Sequence, residues 1–433
     1  MMIDILHSWD DKERERISEI LVRTNLLLRD TEANAAVNEI INDVAATGDK
    51  GLIKYTQRFD GVKLTPKTLR VSPTEIRNAY AQVEKEFLDA IRLASTNITK
   101  FHIKQLRNSW MVAETNGGTL AQLYRPIERV GIYIPGGSAP LVSTVLMTAM
   151  PAKVAGVSQI ALCTPPGPEG QVSPYILATA HVIGVNEIYK VGGAQSIAAM
   201  AFGTQTIPKV DKIVGPGNIY VTLAKKAVYG HVAIDMIAGP TEIAIIADEQ
   251  ANPRFLAADL LAQAEHDPLS CSILLTTSQE IALRVAEEME KQIQGLTRRE
   301  IIEKALKNGA IIVVETIDEA ISMANAFASE HLEIHVKNPW ELIGRIEHAG
   351  CILMGEHTPE SVADYFAGPS HVLPTSGTAR FSSPLTVDDF VKKTSLVCWS
   401  KQELGTFKDD IMRIAGIEGL DAHARAVGIR FEE

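Results

Sequence analysis

Four cysteines are spread over 433 residues, at Cys163, Cys271, Cys351 and Cys398, and no two form a C-x-x-C pair. That scatter argues against a disulfide framework or a thiolate metal cage, and predicts small core thiols in a reducing compartment. Long apolar runs are also missing. The most apolar stretch, PLVSTVLMTAMPAKVAG, is broken by Pro151 and Lys153, so no membrane span is expected. The opening MMIDILHSWDDKERER lacks the apolar segment of a secretory signal, and the cytoplasm is the expected location. Positive charge is not in excess: 42 Lys and Arg stand against 53 Asp and Glu, with no basic patch, so nucleic acid is not an expected partner. An anionic cofactor would have to be held by backbone N–H groups and helix ends. No fixed-period repeat and no low-complexity tract occurs.

The length predicts about three domains. Residues 1–24 read as a polar helical arm, and 34–105 as mostly helical. From VGIYIPGG onward, short strands alternate with Gly-rich turns and helices: IALCTPPG, EIYKVGGAQSIAAMAFG and KIVGPGNIYVTLAKKAV. That alternation is the βαβ pattern of a parallel sheet. A second α/β stretch runs from AGPTEIAIIAD through NGAIIVVETIDEAISMANAFASEHLEIHV, where Thr316 and Glu319 have capping-box spacing. After HVLPTSGTARFSSP the chain reads as a small, mainly helical tail.

The polar residues of the second half carry the chemistry. Gln263 and His266 in AQAEHD are spaced i, i+3, so both can share one face of a helix that starts at Asn252-Pro253 and stops at Asp267-Pro268. Glu330-His331 lies where the Thr316 helix gives way to the strand LEIHV, a junction where α/β folds often place chemistry. Asp364 follows Thr358-Pro359 on a short helix ending near Gly368, and His423 sits in DAHARAV. Two imidazoles, a carboxylate and a carboxamide suit zinc without sulfur, and an adjacent Glu and His supply acid–base groups. Read singly, each has a plainer alternative: a histidine on the helix dipole for His266, a solvated helix end for Glu330-His331, and an ordinary surface charge for Asp364. The turns PGGSAP (135–140), GGAQS (192–196) and GPGNIY (215–220) can each offer N–H groups to a pyrophosphate. The last has Tyr220 where a dinucleotide fingerprint has its third Gly.

Taken together, VGIYIPGGSAPLVSTVLM, VGGAQSIAA, IPKVDKIVGPGN, IDMIAGPTE, DLLAQAEHD, SEHLEI, ADYFAGPSHVLPTSGTARFSSPL and GLDAHARAV resemble histidinol dehydrogenases, in order and over nearly the whole chain. The resemblance implies zinc, one per subunit, on Gln263, His266, Asp364 and His423, and Glu330 and His331 as the acid–base pair. It implies NAD contacts at Tyr133, Gln195 and Asn218. Substrate contacts would fall on Thr241, His371 and Glu418 together with Gln263, His266, His331, Asp364 and His423. Thr241 replaces a frequent Ser with the hydroxyl kept, and Ser376 stands where Gly is common, with no consequence expected.

The implied fold is α/β, with two incomplete Rossmann-like domains built on parallel sheets and extended, mainly helical N- and C-terminal arms. On this chain the expected division is an arm at 1–24, a first domain from 25–126 with 242–375, a second, NAD-binding domain at 127–241, and an arm at 376–433 exchanged in a homodimer, which carries His423 to the partner's site. The implied reaction is a four-electron oxidation of L-histidinol to L-histidine through bound L-histidinaldehyde, with two NAD⁺, His331 taking the hydroxyl proton and Glu330 activating water. No cysteine matches a covalent nucleophile. The competing readings are a sister dehydrogenase acting on another amino alcohol, a zinc-dependent hydrolase, and a non-catalytic nucleotide-binding module.

Overall fold

The computed structural model describes residues 3–22, 30–115, 117–136 and 140–432. Gly137, Ser138 and Ala139 of the PGGSAP turn, and Arg23 and Thr24 of the N-terminal segment, lie outside the described residues.

The chain forms strands β1 (Asp4–His7), β2 (Trp110–Ala113), β3 (Thr119–Pro126), β4 (Arg129–Tyr133), β5 (Gln159–Cys163), β6 (Glu187–Tyr189), β7 (Lys212–Val214), β8 (Ala233–Ile234), β9 (Glu242–Ala247), β10 (Cys271–Thr276), β11 (Ala310–Val313), β12 (His331–His335), β13 (Cys351–Met354) and β14 (Val391–Cys398). One parallel sheet runs β6-β5-β4-β7-β8, and a larger one β1-β11-β10-β9-β12-β13. Counted from β4 and from β9, both run 3-2-1-4-5, the doubly wound Rossmann arrangement, with β1 added outside β11 in the larger sheet. EIAIIA, CSILLT and AIIV are buried along their whole length because helices cover both faces of the sheet. Ile243, Ile245 and Ile311 pack one way, against the helices Pro253–Ala264 and Gln279–Gln292. Ala244, Ile246 and Ile312 pack the other way, against Ile317–Phe327. Among the described residues no helix is long and apolar enough to cross a membrane.

Two expectations need correction, and the mainly helical tail carries one strand besides. The first residues are not a free helical arm. Asp4–His7 is the edge strand beside β11, with Ile3 and Leu6 buried, and among the described residues 3–22 only Arg14–Leu21 is helical. A four-residue strand between polar segments is too short to show its period. In the tail, VKKTSLVC is a strand antiparallel to β3, and the helices Lys401–Ile417 and Asp421–Gly428 follow it. The paired lysines hide its alternation. The helices of residues 31–103 pack on the five-stranded sheet: Val37 and Ile40 meet Ile197 and Val221, and Ile91 and Ile98 meet Ile132 and Val145. That packing groups them with 127–241 rather than with 242–375. An amphipathic face shows that a helix is buried, not which sheet covers it.

Local signals set the helices that reach the site. Asn252 caps Pro253–Ala264, accepting from Arg254 N–H at 3.0 Å, with Pro253 at the first position. Thr316 accepts from Glu319 N–H at 3.1 Å, but the Glu319 carboxylate bonds Glu315 N–H, one residue short of a reciprocal box. Thr358 does not cap, since its hydroxyl donates to Met354 O at 2.9 Å and Pro359 takes the cap position. The turn then widens to a π-helix over Ala363–Ala367, a form that often marks functional positions, and it carries Asp364. It is pinned by Asn97 Nδ2 donating to Phe366 O at 3.0 Å. Ser376 takes φ +55°, a left-handed conformation that favours Gly, and its N–H donates to Glu242 Oε1 at 3.1 Å. A glycine would adopt that conformation without strain, so the position is one where backbone geometry rather than the Ser376 side chain sets the preference.

Candidate active site

A cleft of about 560 Å³ opens where the C-terminal edge of the five-stranded sheet meets the N-terminal edge of the six-stranded one. From the first come Pro135 and Gly136 after β4, and Pro216, Gly217 and Asn218 after β7. From the second come Thr241 before β9, and Glu330 and His331 at the head of β12. The strands β4 and β7 are neighbours where the strand order reverses, the position at which such sheets bind ligands. His266, Glu360, Asp364 and His371 complete the wall that concerns chemistry.

The ligand atoms of His266, Glu360 and Asp364 all lie within 4.8 Å of one another. His266 Nδ1 faces Ala262 O at 3.1 Å, which assigns its proton to Nδ1 and leaves the Nε2 lone pair available. Gln263 is fully buried on the preceding turn. Its amide nitrogen donates to the Thr241 hydroxyl, which in turn donates to Glu330, so the amide oxygen faces the Glu360 carboxylate and His331 Nδ1. Asp364 Oδ1 is buried and makes no hydrogen bond, although His331 Nε2 stands 3.5 Å away and His371 Nδ1 4.0 Å away.

Glu330 is held through Oε2, which accepts from the Thr241 hydroxyl and from Glu242 N–H at 3.1 Å. Burial pushes its carboxyl up, against the pull of His331 and of those two bonds. Burial also disfavours the His331 cation, but Glu360, Asp364 and Glu330 outweigh it and raise its pKa well above the ordinary histidine range. Asp364 is lowered despite burial, by His331, His371 and His266. For His371 burial wins and the pKa falls. Glu330, His331, Glu360 and Asp364 thus share one buried space with His371 beside them and the exposed His266 at its rim, the setting in which buried pKa values move furthest.

The structure brings together Thr241, Gln263, His266, Glu330, His331, Asp364 and His371 of the expected set. Asn218 also lines the cleft, capping Ile219–Val228 by accepting from Tyr220 and Val221 N–H at 3.1 and 3.2 Å. Tyr133 and Gln195 sit behind the wall. Tyr133 is 4% exposed, its hydroxyl accepts from Gly193 N–H at 3.3 Å, and burial pushes its pKa up to about 12. Gln195 Oε1 is buried without a hydrogen-bond partner. Glu418 and His423 are exposed on the C-terminal helices, outside the cleft lining. Of the cysteines, Cys163 and Cys271 are core thiols, whereas Cys351 is half-buried and Cys398 exposed.

Sequence reasoning missed Glu360. It follows Pro359 at the start of a three-residue helical turn, where an isolated Glu gives no spacing signal. It also missed a second buried cluster beneath the site: Glu333 and His335 project from β12 on the face that carries His331, and meet Asp259, one turn before Gln263 on the helix Pro253–Ala264. His335 Nε2 lies 3.1 Å from Glu333 Oε2, whose partner oxygen accepts from Glu360 N–H at 2.8 Å.

The histidinol dehydrogenase family profile matches residues 25–431. A histidinol dehydrogenase of Clostridium acetobutylicum is 54% identical over 397 residues, 92% of each chain. One of Heliobacterium mobile is 52% identical over 407 residues, covering 94% of this chain and 95% of its own. The crystal structure of histidinol dehydrogenase from Elizabethkingia anophelis is 42% identical and superposes with a TM-score of 0.91, covering 99% of this chain and 98% of that one. This chain belongs to the histidinol dehydrogenase family.

Proposed function

We propose that the protein oxidises L-histidinol to L-histidine through bound L-histidinaldehyde, with NAD as hydride acceptor in both steps and one zinc per subunit. The observation that carries this reading is the meeting, in one cleft, of a sulfur-free donor set, an adjacent Glu-His pair and a nucleotide-type turn. The donors fit zinc: an imidazole with its tautomer set, a carboxylate with an unbonded buried oxygen, and a carboxamide. Gln263, His266 and Asp364 would hold it with His423 of a second copy. In support of exchange, the helix Asp421–Gly428 buries none of its residues, and Ile414, Ile417 and Ile429 near it are exposed. The dinucleotide fits the switch point between β4 and β7, with the N-terminus of Ile219–Val228 toward its phosphates.

When bound, NAD takes up the hydrides and zinc orients the substrate's imidazole and amine. His331 accepts the hydroxyl proton at Nε2, the nitrogen that faces Asp364. Positive charge among Glu360 and Asp364 weakens their pull on that proton and leaves the imidazole neutral for the task. Thr241 fixes Glu330, and Glu330 takes a proton from the water that adds to the aldehyde. His371 and Thr241 line the cleft, and Glu418, exposed on the same C-terminal segment as His423, would travel with it to the second copy's site to contact the substrate.

The test follows NADH formation with L-histidinol and with other amino alcohols, before and after chelation and with zinc restored. Preference for another amino alcohol would move the reading to a sister dehydrogenase. Zinc-dependent hydrolysis with no need of NAD would overturn it.

A further inference from the structure

We propose that the buried Lys225–Asp235 ion pair is a positioning device for the nucleotide turn, one that sets affinity for the dinucleotide without touching the reacting atoms. The proposal rests on the NAD reading above. The turn from Gly215 to Asn218 needs its first glycine: φ is +116°, and an added Cβ would stand 2.2 Å from Tyr133 O at the end of β4. Gly215 is held by both of its backbone polar groups. Its N–H donates to Asp235 Oδ2 at 2.7 Å, and Lys225 Nζ donates to its carbonyl at 2.9 Å. The two side chains also pair with each other, and Met236 N–H donates to Asp235 Oδ1 at 2.7 Å. The Lys225 side chain is 4% exposed and that of Asp235 0%.

Burying two charges costs desolvation that their attraction barely repays, so such a pair is weak evidence for stability alone. Here both charges converge on one residue, Gly215, holding the two peptide units on either side of it in the turn that faces the cleft. Lys225 comes from the helix that Asn218 caps, and Asp235 from the segment that runs from β8 to Thr241. A second tie joins the same parts: the Thr222 hydroxyl donates to Ala238 O at 3.2 Å. The turn, its helix and residues 235–241 therefore move as one body. That body ends on Thr241, which bonds Glu330. Loss of the pair would let the turn relax away from the pyrophosphate while the acid–base groups keep their own bonds.

The experiment uses purified full-length protein and compares Lys225→Met with Lys225→Met/Asp235→Asn, the latter leaving no unpaired buried charge. In Lys225→Met the KM for NAD should rise about tenfold or more, the loss of a charge-assisted hydrogen bond. The kcat at saturating NAD should stay within about threefold, with the KM for L-histidinol and the bound zinc unchanged. The double variant should recover thermal stability but not NAD affinity. An unchanged KM for NAD in folded Lys225→Met overturns the proposal, as does recovery of KM together with stability in the double variant. If Lys225→Met does not fold, the double variant decides alone: a raised KM supports the proposal and a wild-type KM overturns it. Failure of the NAD reading is distinguishable, because the wild type would then form no histidinol-dependent NADH.

Discussion

Asp259 offers a test that needs no substrate. It lies against Glu333 beneath the site, and burial together with the Glu333 charge pushes its carboxyl up to about 8. In the unfolded chain the same group titrates near 3.9. Between those values the folded protein holds a proton that the unfolded chain has released, so stability falls as pH rises and levels off above about 8. Each unit of pH in that window carries at most about 1.4 kcal/mol, so the span from pH 5 to pH 8 carries at most about 4 kcal/mol. Half of that span, about 2 kcal/mol, is the working magnitude. Asp259→Asn keeps a donor toward Glu333 and never ionises. Urea unfolding of both proteins at pH 5 and pH 8 should give similar stability at the lower pH. At the higher pH the variant should be more stable by about that amount. A wild-type-minus-variant difference that does not change between the two pH values would refute the reasoning.

The proposed catalytic groups give three further predictions. His266→Asn should lose both bound metal and turnover, read by metal analysis beside the rate, and full zinc occupancy would remove His266 from the ligand set. Glu330→Gln should leave the first NADH fast and slow the second by about 10²–10⁴, while His331→Ala slows the first, as resolved by rapid mixing. Equal slowing of both by Glu330→Gln would merge the two roles. Inactive His423→Ala and His266→Ala subunits, mixed under conditions where subunits exchange, should regain activity because one hybrid site keeps every ligand, and no recovery would place His423 in its own subunit's site.

Much of the candidate site was legible because its residues lie close in sequence. Gln263 and His266 share one helical face, Glu330 and His331 are neighbours at a helix-to-strand junction, and Asn218 follows a Gly-rich turn as a helix cap. What stayed hidden depends on long-range placement. Nothing local told that β12 sets His331, Glu333 and His335 on one buried face over Asp259, since that stripe is polar where a buried strand normally reads apolar. The two matching strand orders were equally invisible, because βαβ alternation fixes parallel pairing but not lateral order. Tyr133 and Gln195 illustrate another limit: both lie at the C-terminal edge of the five-stranded sheet, yet their side chains are buried and outside the cleft lining.

The most direct test of the account is the stoichiometry of the reaction, measured as NADH formed per L-histidinol consumed on protein whose zinc content is determined in the same sample. The account predicts two NADH and one L-histidine per L-histidinol, with one zinc per subunit. One NADH with aldehyde accumulating in solution, or undiminished turnover after zinc is stripped, would contradict it.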